Sequence, residues 1–155
     1  MEDDCYVPFV KKQHNPLFEK AKVSHPELKS GIYRETETGY HGAITDDGIV
    51  TLCFDQPEKI SEIKLVFDSN LPREYYNMPC EYPLFEPDYR TPTTLVKSYK
   101  IFANVDGKDV EVAANTNNYQ RFVRIPVDLT TDKLTLKMIE TWGDEKFKIL
   151  GFEVK

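Results

Sequence analysis

The side chains that could carry metal or acid–base chemistry are few. His14, His25 and His41 fall in the first third of the chain, with no H-E-x-x-H and no i,i+4 pairing. Without such spacing, three solvated imidazoles are expected rather than a metal centre. Ser-His-Asp chemistry needs a strained nucleophile turn such as G-x-S-x-G, which is absent. The seven glycines form neither a G-x-G-x-x-G nor a P-loop, so no nucleotide is bound in those ways. Paired carboxylates occur at Asp3-Asp4, Asp46-Asp47, Asp106/Asp109 and Asp144-Glu145. A glycosidase needs two such groups facing each other across a cleft. Here each pair falls on an expected turn or terminus, where Asp is favoured for local backbone bonding. No EF-hand spacing supports calcium, although a structural calcium held by loop oxygens would suit a sandwich.

Recognition chemistry is better represented. Sugar rings have apolar faces that stack on Tyr or Trp, and hydroxyls that bond to Arg, Asn and Asp. Residues 70–94 hold half of the ten prolines together with Tyr75, Tyr76, Tyr82, Phe85, Tyr89 and Arg90. A connection that long inside a compact domain is usually either functional or mobile. Its density of aromatics predicts burial, either against a ligand or against the sandwich or a neighbouring domain, and packing is the preferred of the two readings. Two further loops offer suitable groups: Asn115-Thr116-Asn117-Asn118-Tyr119, followed by Arg121, and Thr141-Trp142-Gly143-Asp144. Asn118, Arg121 and Trp142 complete the candidate ligand or domain-interface set.

The elements that must position these loops are strands. From about residue 49 onward, apolar and polar residues alternate with period two, and β-branched and aromatic residues dominate. Separate strands are predicted at Ile49–Phe54, Ser61–Asp68, Tyr99–Asn104, Val110–Ala114, Val123–Val127, Leu134–Met138 and Leu150–Val154. Asp106-Gly107 reads as a two-residue hairpin turn. Asp47-Gly48 reads as a second one, joining Tyr40–Thr45 to Ile49–Phe54. Pro16–Val23 is predicted as a short helical turn with Leu17, Phe18 and Ala21 on one face. Many short strands with regularly spaced turns predict an all-β antiparallel sandwich of the jelly-roll kind. The organisation expected is a lead-in or linker over residues 1–16 and one sandwich domain over 17–155.

Composition agrees. The chain has 155 residues, 40% hydrophobic and 30% charged, which is ordinary for one globular core. A net charge of −6 repels phosphate backbones, so nucleic acid is a poor partner. No apolar run approaches the roughly 20 residues of a spanning helix, and Met1-Glu2-Asp3-Asp4 does not open like a signal peptide. Neither a membrane partner nor a compartment is read from it. Cys5, Cys53 and Cys80 are odd in number with no C-x-x-C. Cys53 is expected to be a buried small hydrophobe, and a Cys5–Cys80 disulfide stays open.

The ordered segments resemble a family. Ser98–Asn104, Asp106-Gly107-Lys108 and Val110-Glu111-Val112 are similar to the central hairpin of galactose-binding, discoidin-like domains of the coagulation factor 5/8 type C kind. Asn117–Arg124, Lys133–Leu136 and Ile149–Val154 resemble the segments that follow it, although Gly151-Phe152 stands where Glu-Ile is usual. Glu62–Leu71, Pro92–Ile101, Asn117–Ile125 and Thr141–Val154 more closely resemble the C-terminal domain of bacterial FAD-dependent oxidoreductases. Glu2–Pro8 is similar to the join with the catalytic domain of that family. This resemblance implies a non-catalytic accessory domain that packs on or orients an upstream catalytic domain of the same polypeptide. FAD would then bind upstream, because this chain carries no flavin-binding glycine fingerprint. The alternative is a carbohydrate-binding module that recognises sugars through loop aromatics and Arg or Asn. An independent hydrolase ranks last.

Overall fold

The period-two alternation is realised as strands. The computed structural model describes residues 15–31, 33, 39–68 and 91–155. Within these, α1 (Pro16–Lys20) leads to β1 (Lys22–Val23), a 3-10 turn (Pro26–Lys29) and β2 (Tyr40–Ala43). Then come α2 (Ile44–Asp47), β3 (Ile49–Phe67), β4 (Val96–Val105), β5 (Lys108–Asn115), β6 (Phe122–Thr141) and β7 (Lys146–Val154). All pairings are antiparallel, in the order β2-β7-β3-β6-β4-β5, with β1 added to β3.

Two long strands make this network a sandwich. The first half of β3 (Ile49–Cys53) pairs with the second half of β6 (Lys133–Lys137), alongside β4 and β5. The second half of β3 (Glu62–Val66) pairs with the first half of β6 (Phe122–Pro126), alongside β7 and β2. β3 and β6 therefore belong to both layers and bend between them. The ladder slips between Cys53 and Glu58, where Pro57 offers no N–H, and again between Ile60 and Glu62, opposite Pro126. Such slips change which side chains face inward. In β3 the core positions run Val50, Leu52 and Phe54, then Ile60, then Ile63, Leu65 and Phe67. In β6, Val123 and Thr131 give way to Leu134, Leu136 and Met138, with the Thr131 hydroxyl bonded to Lys133 N (3.1 Å) at the change of phase.

Three expectations are corrected. Ile49–Phe54 and Ser61–Phe67 are one strand, and so are Val123–Val127 and Leu134–Met138, because the bulges bend the chain without ending it. Asp47-Gly48 is not a hairpin turn. Ile44–Asp47 forms a helical turn, Gly48 takes φ −65, and β2 pairs with β7 instead of β3. Cys53 is only half-buried, since Leu52 and Phe54 on either side take the inward positions. The Cys5–Cys80 pairing lies outside the described residues.

The helical turn expected over Pro16–Val23 is realised only over Pro16–Lys20, since Lys22–Val23 pairs with β3 as β1. Asn15 caps α1, its Oδ1 accepting from Phe18 N at 3.2 Å, while its Nδ2 donates to Val154 O at 2.8 Å and ties the helix to β7. Ala21 and Leu28 enter the main core, with Leu17 and Phe18 packed against it. On β7, Phe147 through Phe152 are buried without a break, so this strand is covered on both faces. Gly151 fits that covering: a Cβ there would come within 2.9 Å of the Tyr33 ring, which explains why a long side chain is absent.

Asp106-Gly107 is the predicted tight turn, with φ 51 and 78 closing Val105 onto Lys108. A Cβ at Gly107 meets nothing within 4 Å, so Gly107→Ala probes backbone strain alone. It is expected to cost about 1 kcal/mol. The thermal midpoint should fall by roughly 2–4 °C in a domain of this size, and an unchanged midpoint would contradict the turn geometry.

Candidate functional site

Antiparallel order gathers several connections at one end of the sandwich: the approach to β4 (91–95), the β5–β6 loop (116–121) and the β6–β7 loop (142–145). Main-chain bonds lace them together. Trp142 N donates to Leu95 O (3.1 Å), Asp144 N to Thr93 O (3.2 Å) and Asn118 N to Lys97 O (2.9 Å). The β6–β7 loop is further shaped by Thr141, whose hydroxyl accepts from Asp144 N at 3.0 Å, and by Asp144, whose carboxylate accepts from Lys146 N at 2.8 Å. Asn115 Oδ1 accepts from Asn117 N at 2.9 Å, an Asx turn that starts the β5–β6 loop.

These loops bring two aromatic rings together. Tyr119 and Trp142 lie with centroids 4.3 Å apart and planes at 37°. Trp142 is half-buried, and its indole N–H donates to Asn118 O at 2.7 Å. Tyr119 is 59% exposed, so one ring is buttress and the other is surface. The Lys97 ammonium sits 5.2 Å from the Trp142 ring and pairs with Glu140 at 2.9 Å. Asn117 and Asp144 stand exposed on the two loops. The result is an aromatic platform with a cation, a carboxylate and amides at its rim. Tyr99, near its foot, has its hydroxyl pKa raised by burial, against a lowering bond from Asn115.

The sequence-predicted site residues are divided by this geometry. Trp142 and Asn118 meet directly. Asn118, however, is 2% exposed and is bonded inward, so it does not face solvent. Arg121 turns away from the platform: its guanidinium donates to Phe67 O at 3.4 Å and to Tyr33 O, securing the end of β3. Beside it Lys64, paired with Glu153, has its pKa lowered by burial, with Glu62 opposing and Arg124 adding to the shift. Tyr75, Tyr76, Tyr82, Phe85, Tyr89 and Arg90 lie outside the described residues. Lys97 and Glu140 were not singled out from sequence, and Tyr119 was named within its loop but left out of the candidate set.

Elsewhere the chemistry is spent on structure. His25 stacks on Tyr40 at 3.5 Å and contacts the Ser24 hydroxyl, while His41 is exposed on β2. Among the described residues no group of three or more His, Cys, Asp or Glu could hold a metal ion. A recess of about 230 Å³ is lined by Lys20, Phe54, Asp55, Gln56 and Glu58 at the bend of β3. Its carboxylates are paired with Lys22 and Lys20, and Phe54 is buried, leaving no ring face to stack on.

Solved structures that this chain resembles include carbohydrate-binding modules. A family 32 module from Streptococcus pneumoniae EndoD superposes with a TM-score of 0.65 at 9% identity, covering 87% of this chain and 94% of its own. A family 32 module of a family 31 glycoside hydrolase from Clostridium perfringens gives 0.62 at 11%, covering 88% and 94%. The C. perfringens NanJ module, solved in complex with galactose, gives 0.56 at 15%, covering 86% and 90%. No protein-family model matches the sequence. No curated protein matches it either. At such identities the likeness establishes the fold: an antiparallel β-sandwich of the galactose-binding, discoidin-like class.

Proposed function

We propose that this domain is a non-catalytic carbohydrate-binding module whose sugar stacks on Tyr119. The observation that carries the reading is the exposed Tyr119 ring braced by Trp142 at the loop end of the sandwich. A pyranose presents C–H groups that pack on a π face, and desolvating both surfaces is favourable. Its hydroxyls need directional partners, which Asn117 and the Lys97–Glu140 pair can supply as neutral and charge-assisted hydrogen bonds. The galactose complex of a structural neighbour with the same fold adds support.

Trp142 is the sole tryptophan of the chain, so its emission reports directly on this site. Titration with galactose, N-acetylgalactosamine, glucosamine oligomers and uronic acids is expected to give a saturable change in that emission for at least one of them. A flat response to all four classes into the millimolar range rejects the reading.

The flavoprotein setting is a second proposal, supported by the ordered strings Glu62–Leu71, Pro92–Ile101, Asn117–Ile125 and Thr141–Val154. In that setting the module rides on an upstream catalytic domain of the same polypeptide. A full reading frame without a dinucleotide-binding glycine turn ahead of this segment would end it. The two proposals are compatible, because a module can both bind a sugar and orient its parent enzyme.

A further inference from the structure

Resting on the carbohydrate reading, we propose that Asn118 is the positioning residue of the platform, setting the separation and tilt of Tyr119 and Trp142 without touching the sugar. Asn118 is 2% exposed and sits where three segments meet. Both protons of its side-chain amide are committed, to Val96 O and to Gln120 O, each at 2.9 Å. Its Oδ1 accepts from Gln120 N at 3.1 Å, and its main-chain N–H donates to Lys97 O at 2.9 Å. Every donor of the residue is therefore used within the protein, and none is left for a hydroxyl.

What remains is its main-chain carbonyl, and that is where the indole N–H of Trp142 docks, at 2.7 Å. Tyr119 is the next residue along the chain. One clamped residue thus references both rings: it carries the first covalently and holds the second by hydrogen bond. Its main-chain bond to Lys97 also ties it to the residue whose ammonium lies over Trp142. A buried amide with both its N–H protons and its oxygen bonded is a stiff anchor, since releasing any partner strands a polar group out of water. Ring placement matters because a stacking partner displaced by a fraction of an ångström loses much of its dispersion contact. Asp at this position would keep the shape but replace the NH2 group and its two donors by a single oxygen facing two carbonyls.

The test uses the fact that a single tryptophan gives a single indole N–H signal in the uniformly 15N-labelled domain. In the wild-type protein that signal should exchange slowly with solvent, because the proton is held by Asn118 O. Asn118→Ala and Asn118→Asp should shift the signal and speed its exchange, and sugar affinity should fall by at least about tenfold. Tyr119→Ala should leave the indole signal protected while sugar binding is lost, which a merely destabilising change would not do. An indole proton that exchanges freely in the wild-type protein overturns the proposal, whether or not the variants fold. So does an Asn118→Ala protein with unaltered indole exchange and sugar affinity. Indole protection that is lost in the variants of a domain binding no sugar supports the clamp, and rejects only the carbohydrate reading.

Discussion

Replacing Phe152 by alanine should remove about 3–5 kcal/mol of folding stability, the largest single-residue effect expected outside the site. The ring is fully buried and lies opposite Leu65 in the β7–β3 register. β7 is flanked by β2 on one side and β3 on the other, and its far face is covered over Gly151 by Tyr33. Neither layer can close on a void there without disturbing hydrogen-bonded ladders on both sides, so the cavity stays. A domain of this size has about 5–15 kcal/mol in total, so the variant should populate unfolded states readily. The thermal midpoint should drop by roughly 10 °C, and the denaturant midpoint should fall with an unchanged m-value. Ile49→Ala, at a side chain 51% exposed on β3, is the matched control and should change stability by less than about 0.5 kcal/mol. A loss below about 1 kcal/mol for Phe152→Ala would mean that the two layers do not close over this ring.

The same strand shows what the sequence makes legible. Phe147, Ile149, Phe152 and Val154 are core residues, and the expected Leu150–Val154 strand lies within β7. Lys148 is also buried, which alternation alone does not foresee, because the covering of the outer face comes from distant chain. The Asp106-Gly107 turn was readable because two successive positive φ angles have a residue signature. Asp47-Gly48 carries the same signature but sits at φ −65 at the end of a helical turn, where tertiary packing and not the dipeptide decides. The continuity of β3 and β6 was hidden for a related reason. Pro57 and Pro126 look like breaks, yet each falls at a ladder slip, where a missing N–H costs nothing.

The site was legible in kind but not in membership. Trp142 and the Asn-rich loop announce themselves by type, but the bond between them spans twenty-four residues and needs β6 to run its full length to the same end. Asn118 and Arg121 look like ligand-binding groups in one dimension. In three dimensions both are consumed by backbone carbonyls, Asn118 at Val96 and Gln120 and Arg121 at Phe67 and Tyr33. Polar residues that saturate loop backbones and polar residues that wait for ligands have the same composition. Only burial separates them.

Tyr119→Ala follows from that separation and should carry the largest functional effect. The ring is 59% exposed in the free domain, so its loss should change stability by less than about 0.5 kcal/mol. A sugar stacked on it would be covered by the ring on one face, and truncation of such an aromatic anchor typically costs about 2 kcal/mol, or roughly thirtyfold in affinity. Tyr119→Phe keeps the π face and should retain most of the binding, which separates stacking from a contribution of the hydroxyl. The expected pattern is unchanged thermal midpoints for both variants, with the titration of Trp142 emission lost for alanine and kept for phenylalanine. Alanine binding as tightly as wild type would move recognition off this platform and onto the Tyr75, Tyr76, Tyr82, Phe85 and Tyr89 segment, because those are the remaining aromatics that the loop chemistry supplies.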